Sequence, residues 1–198
     1  MVIGVTGGIA SGKSTVCKYL ASKGFVHIDA DDVAHKVLEL PEVIGRITEN
    51  FGPEVLTAPE DHRGPVKIDR KVLGRIVFAD PGKMDILEKI THPEVARLIR
   101  EQVASDPGKD YVIEAIALVS SGIIDICDEL WVVYVEPEQQ IRRLMETRNY
   151  SYKDAMERLR SQEDHDWNEE NTDRIIYSTE PPETMTHQVD EALKQCYY

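Results

Sequence analysis

Eight consecutive residues near the start of the chain, Gly7-Gly8-Ile9-Ala10-Ser11-Gly12-Lys13-Ser14, fit the pattern G-x-x-x-x-G-K-[ST] without exception. Their types answer to one task. Glycines let the backbone curl until successive N–H groups converge on an anion. A helix that starts at the end of the run turns its positive N-terminus toward the same anion. Lys13 has the reach and the charge for the β- and γ-phosphates of a nucleoside triphosphate, and the Ser14 hydroxyl can ligate magnesium. Gly8, Ile9, Ala10, Ser11, Gly12, Lys13, Ser14 and Thr15 are therefore expected to form a phosphate cradle.

A cradle of this kind specifies the nucleotide's phosphates and not the reaction. The N-K-x-D motif with which many GTPases read their base is absent from the chain. A P-loop at the start of a chain of 198 residues suits ATP-dependent phosphorylation of a small molecule. That reaction needs a carboxylate to receive the acceptor hydroxyl's proton. It needs cations to neutralise the moving phosphoryl group, and a lid to keep water from taking the acceptor's place.

The carboxylates stand at Asp29-Ala30-Asp31-Asp32, just after a second strand. Asp31 is the base candidate and Asp29 a supporting one. Aspartate at this position also caps a helix, and Asp32 is read as doing only that. Arg142, Arg143 and Arg148 lie on or just after a helix opened by Pro137, and Arg158 and Arg160 on the next. Arg148 is the catalytic candidate and Arg142 a substrate-binding one, although Glu–Arg pairing on an exposed helix face accounts equally well for any single arginine. Glu114, near the end of an apolar strand, can accept from magnesium-bound water or simply face solvent. Asp164-His165-Asp166 reads as a solvated turn.

These groups need a scaffold. Val2–Val5, Phe25–Asp29, Tyr111–Ile116, Leu130–Val135 and Arg174–Tyr177 read as strands. Helices are expected over Ser14–Ser22, Val33–Leu40, Val43–Phe51, Asp69–Phe78, Pro81–Ala104 with a break at His92-Pro93, from Pro137, from Ser151 through Arg160, and over Glu183–Gln195. Thr57–Pro65 reads as a loop. Strands alternating with helices predict an α/β fold with a parallel five-stranded sheet covered on both faces. Ligands then gather at the carboxyl ends of the strands.

Composition sets the outer bounds. The chain is 41% hydrophobic and 30% charged, with a formal charge of −13. That acidity argues against a general nucleic-acid binder, which needs a basic footprint. Cys17, Cys127 and Cys196 lie far apart with no C-x-x-C, so neither a zinc site nor a redox pair is expected. No signal segment or membrane span is legible, and a soluble cytoplasmic protein is expected.

The opening V-T-G-G-I-A-S-G-K-S-T and the following H-I-D-A-D-D-V-A-H-K-V-L resemble the dephospho-CoA kinase family. So do Phe51-Gly52-Pro53-Glu54-Val55-Leu56, Ile68-Asp69-Arg70-Lys71-Val72-Leu73, Val77-Phe78-Ala79-Asp80-Pro81 and His92-Pro93, all in order across the first hundred residues. The resemblance implies phosphorylation of the ribose 3′-hydroxyl of dephospho-CoA by ATP with Mg2+, the last step of coenzyme A synthesis. It implies a three-layer P-loop NTPase in one domain, with a helical acceptor-binding insertion about 32–100 and a small helical lid about 138–165. The second aspartate of its I-D-A-D segment, here Asp31, acts at the acceptor hydroxyl. The substrate-binding set becomes Asp29, Asp31, His92, Glu114 and Arg142. The chain departs from the family at Glu114-Ala115-Ile116-Ala117-Leu118, Thr147-Arg148-Asn149 and Ile176-Tyr177-Ser178. Expected partners are dephospho-CoA as acceptor, no nucleic acid and no membrane, in a monomer or weak homo-oligomer. The alternatives are a kinase of another nucleotide or small metabolite, and a nucleotide- or CoA-binding regulator without catalysis.

Overall fold

The computed structural model describes residues 1–57, 66–160, 171–178 and 181–196. In chain order the elements are β1 (Val2–Thr6), α1 (Lys13–Ser22), β2 (Val26–Asp29), α2 (Ala30–Val37), α3 (Pro41–Phe51), β3 (Leu56–Thr57), β4 (Lys67–Ile68), α4 (Arg70–Phe78) and α5 (Pro81–Ser105). They continue as β5 (Tyr111–Glu114), β6 (Glu129–Tyr134), α6 (Pro137–Arg148), α7 (Tyr152–Arg160), β7 (Arg174–Tyr177) and α8 (Pro182–Cys196). Two compact units divide the chain, one of residues 1–29 with 103–198 and one of residues 30–102.

The first unit is built on a five-stranded sheet ordered β2-β5-β1-β6-β7, with every pairing parallel. Helices cover both faces. Every residue of β1 is buried, as a central parallel strand requires. Ile3, Val5, Val16, Leu20, Val112, Trp131, Val133 and Val189 share one core. The strand order runs outward from β1 in opposite directions, through β5 on one side and β6 on the other. The loop after β1 therefore sits at the switch point where such sheets hold their ligands.

The α6–α7 hairpin has its own small core of Ile141, Leu144 and Ala155, and Ile9 and Ala10 of the P-loop pack against it. Pro137 occupies the first turn of α6, where its missing N–H costs nothing. Ser151 Oγ accepts from the Asp154 amide at 3.2 Å and donates to Asp154 Oδ2 at 2.7 Å, which starts α7 as its sequence predicts.

In the second unit Asp69 caps α4, its Oδ1 accepting from the Lys71 and Val72 amides. The short β3–β4 hairpin has no counterpart in the sequence reading. Two residues per strand give too little alternation to read. Most of the expected Thr57–Pro65 loop lies outside the described residues. The expected break at His92-Pro93 is absent, and α5 runs unbroken over 25 residues with Pro93 inside. Pro93 withholds one amide from the helix ladder. Burial of Ile90, Thr91, Val95, Ala96 and Ile99 on both sides of it carries the helix through. Pro41 opens α3 at its first turn, while α2 ends at Val37, three residues before the expected Leu40. Among the described residues no helix is long and apolar enough to cross a membrane.

Candidate active site

The loop between β1 and α1 is shaped by three left-handed or strained positions, Gly7 (φ 142°), Ala10 (φ 56°) and Gly12 (φ 108°). Its carbonyls are held from outside. Lys13 Nζ donates to the carbonyls of Gly7 at 2.8 Å and Gly8 at 2.9 Å. Gln140 Nε2 donates to Ile9 O at 2.8 Å. Arg143 donates to Ala10 O at 3.1 Å and Ser11 O at 3.2 Å, and ties the loop to Ser178 through its Oγ and carbonyl, both at 3.0 Å. Five successive carbonyls, from Gly7 to Ser11, thus accept from side chains of α1 and α6. A loop whose oxygens are engaged this way has N–H groups to offer an anion. Gly12 begins α1 with no side chain capping its amides, and the helix dipole adds to the same field.

Two further observations fit a phosphate cradle. Ser11 Oγ is buried with no hydrogen-bond partner, the one such side-chain atom found among the described residues. Such an atom costs about 1–3 kcal/mol, so the loop's shape is held against that cost by the bonds around it. The second is the space at Gly7, where a Cβ would lie 2.3 Å from the Val133 carbonyl. Backbone on one side and a positive φ on the other leave no relaxed place for a side chain. Gly7→Ala is expected to destabilise the first unit by more than about 2 kcal/mol and to weaken ATP binding at least tenfold. Chemical denaturation with nucleotide titration checks both; a variant as stable as wild type would show the loop to be pliable there.

Glu114 ends β5 directly opposite Val5 of β1 on one side and Asp29 of β2 on the other. It is buried, and its two oxygens are both used. Ser14 Oγ donates to Oε1 at 2.6 Å, and His27 Nε2 lies 3.1 Å from Oε2. Burial pushes the Glu114 carboxyl up, but the hydrogen bonds of His27 and Ser14 and the nearby charges of His27 and Lys13 outweigh it and hold the group below its usual range. A carboxyl depressed in the folded state stabilises the fold above its unfolded value, near 4.5, and that stabilisation is lost as pH falls through the lower folded value. The stability difference between wild type and Glu114→Gln is therefore expected to be full at neutral pH and to shrink as pH drops below about 4.5. Denaturant midpoints from pH 7 to pH 3 measure it, and a difference that stays constant would contradict the assignment.

Cys17 Sγ, a His27 ring nitrogen and a Glu114 oxygen lie within 4.8 Å of one another. Burial raises the Cys17 thiol well above its usual value, with Glu114 adding to the rise. The neutral thiol and the imidazole thus serve as the wall that fixes Glu114 toward Ser14. The three cysteines are free, and burial pushes Cys127 up to about 12 and Cys196 up to about 11, so none is poised for thiolate chemistry.

The first unit thus brings Gly8 to Thr15, Asp29 and Glu114 together. Asp31 lies in the exposed first turn of α2, in the second unit, and His92 is half-buried within α5 of that unit. Arg142 and Arg148 are both exposed on α6, with Arg142 paired to Glu146 at 3.6 Å. Among the described residues the arginine that reaches the P-loop is Arg143, which the sequence grouped with Arg142 and Arg148 without choosing it, while Gln140, His27 and Ser178 were not candidates. A signal for Arg143 existed. Gln140, Ile141 and Leu144 form the buried face of α6, and Arg143 flanks that face while Arg142 falls on the solvent stripe with Glu138 and Glu146. Asp164-His165-Asp166 and Trp167 lie outside the described residues.

A parallel sheet with a G-x-x-x-x-G-K-S loop at its switch point, a strand-end acid on the serine and a helical hairpin packed on the loop defines a P-loop kinase. The family model described as dephospho-CoA kinase matches residues 1–180, and the chain belongs to that family. A dephospho-CoA kinase of Carboxydothermus hydrogenoformans is 41% identical over 165 residues, covering 81% of this chain and 77% of that one. A solved structure from Thermus thermophilus is similar with a TM-score of 0.77 and 28% identity, covering 100% of this chain and 96% of that one. The dephospho-CoA kinase of Campylobacter jejuni is similar with a TM-score of 0.61 and 30% identity, over 98% and 96% of the two chains. The activity is that of an ATP-using kinase that phosphorylates dephospho-CoA, the last step of coenzyme A biosynthesis.

Proposed function

We propose that the P-loop carries out this transfer with the following division of labour, in a single P-loop kinase domain whose acceptor-binding region is about 32–100 and whose lid is about 138–165. Gly8 to Thr15 bind the ATP phosphates, and Lys13 neutralises charge on the γ-phosphoryl group as it moves. Asp31 orients the ribose 3′-hydroxyl and takes its proton, with Asp29 supporting. His92, Glu114 and Arg142 contribute to binding the acceptor, and Arg148 approaches the transferred phosphoryl group when the lid closes.

A magnesium ion would be held by the Ser14 oxygen, with Glu114 accepting from its water shell. The donor set fits, since a hydroxyl and a carboxylate 2.6 Å apart are the hard oxygen ligands such a cation takes. When bound, the ion would offset the negative charge of the triphosphate. The acceptor partner in this reading is dephospho-CoA, and the enzyme works in the cytoplasm as a monomer or weak homo-oligomer without nucleic acid or membrane.

The Ser14–Glu114 hydrogen bond beside the Lys13-braced loop is the observation that carries this reading. The test is formation of coenzyme A from dephospho-CoA and ATP, with magnesium and with a chelator. Magnesium-dependent turnover supports it. Tight ATP binding without coenzyme A formed would overturn it.

A further inference from the structure

Among the described residues of the second unit, one cleft runs against the charge of the chain. It encloses about 200 Å³ and is lined by His35 and Lys36 of α2, Lys67 and Ile68 of β4, Arg70 of α4, and Glu39. Three permanent cations and a histidine thus face a single carboxylate in a protein whose formal charge is −13. None of Lys36, Lys67 and Arg70 forms an ion pair with a described carboxylate. Lys23, by contrast, is paired with Asp190, and Arg97 with Glu94 and Glu101. Cations gathered around a concavity without partners raise the local concentration of anions.

The cleft is also built. Ile68 is buried and forms an apolar wall. Arg70 is the first residue of α4, and the Asp69 cap fixes where that helix begins. Lys67 is held by the pairing of β4 with β3, Thr57 opposite Lys67.

Its position on α2 gives the ligand. Asp31 stands in the first turn of α2 and His35 and Lys36 in the last. Asp31 and His35 are four residues apart, so they share a side of the helix and are separated by about 6 Å along its axis. A nucleoside whose 3′-hydroxyl lies at Asp31 carries its 5′ substituent on the same ribose ring, a few bonds away. In dephospho-CoA that substituent is a diphosphate.

We infer that this basic cleft binds the diphosphate of the acceptor, with Arg70 as its bidentate contact and Lys36 and Lys67 as point charges. The inference rests on Asp31 being the residue at the acceptor hydroxyl. The cleft sets acceptor affinity and takes no part in the chemical step.

Steady-state kinetics on full-length Arg70→Ala and Lys67→Ala test it. Each is expected to raise KM for dephospho-CoA about tenfold or more, with KM for ATP and kcat at saturating acceptor within threefold of wild type. Arg70→Lys should recover part of the loss, since it restores the charge but not the fork. Added salt should raise the wild-type acceptor KM more steeply than that of the alanine variants. KM for dephospho-CoA within twofold of wild type in both alanine variants would overturn the assignment. So would an equal rise in KM for ATP, which would make the cleft part of the donor site. If Arg70→Ala fails to fold, the exposed Lys67→Ala and Lys36→Ala decide the matter. Wild type that forms no coenzyme A removes the reading beneath the inference, and the inference with it; turnover by wild type with unchanged variants removes the cleft alone.

Discussion

Lys13→Met is expected to lower kcat/KM by a factor on the order of 10³–10⁴, a loss of roughly 4–5.5 kcal/mol of transition-state stabilisation. Lys13 is 8% exposed, and its ammonium is the cation that braces the P-loop from within, through the Gly7 and Gly8 carbonyls. Methionine keeps the length and apolar stem but removes the charge. In the proposed mechanism the phosphates then lose a cation in a site where water screens poorly, so the effect falls most on the state with the most negative charge in flight. The Gly8 carbonyl keeps the Ser11 amide at 3.2 Å, while Gly7 loses its Lys13 partner. Some loosening of the loop should therefore accompany the electrostatic loss, visible as weaker ATP binding. Rates from coupled assays and ATP affinity from titration separate the two. A variant within tenfold of wild type would show that the charge is supplied by another group.

Asp31→Asn is expected to reduce kcat by about 10²–10⁴ while leaving KM for ATP nearly unchanged. The asymmetry follows from placement. Asp31 belongs to α2, outside the P-loop, and the role proposed for it is on the acceptor side of the reaction. Asparagine is close to isosteric and suits a helix N-terminus, so the fold should hold. What it cannot do is take a proton. Asp32, exposed in the same turn, is the internal control, and Asp32→Asn should change kcat less than about threefold. If the two substitutions act alike, the effect belongs to the helix terminus and not to a base.

The sequence was most informative where structure is local. The P-loop is eight contiguous residues, and its motif is complete within them. The Asp69 cap and the Ser151–Asp154 box are also formed within one helical turn, and both were legible. The central strands β1 and β6 could be read because a buried parallel strand is a nearly continuous apolar run.

What depends on distant parts of the chain was not legible. Sequence named Glu114 as a candidate, but only folding joins it to Ser14, 100 residues away, and to His27, 87 residues away, which settles its orientation and its depressed pKa. Arg142, Arg143 and Arg148 are chemically equal as letters. Packing of Ile141 and Leu144 turns Arg143 onto the P-loop carbonyls and leaves the other two in solvent. His92-Pro93 reads as a helix end because local propensity says so, and burial of the flanking apolar residues overrides it. The sequence by itself determined the phosphate chemistry and the alternation of strands and helices, since both are set by neighbours along the chain. Which side chains surround that chemistry was decided by tertiary structure, because register, helix rotation and burial are properties of the whole core.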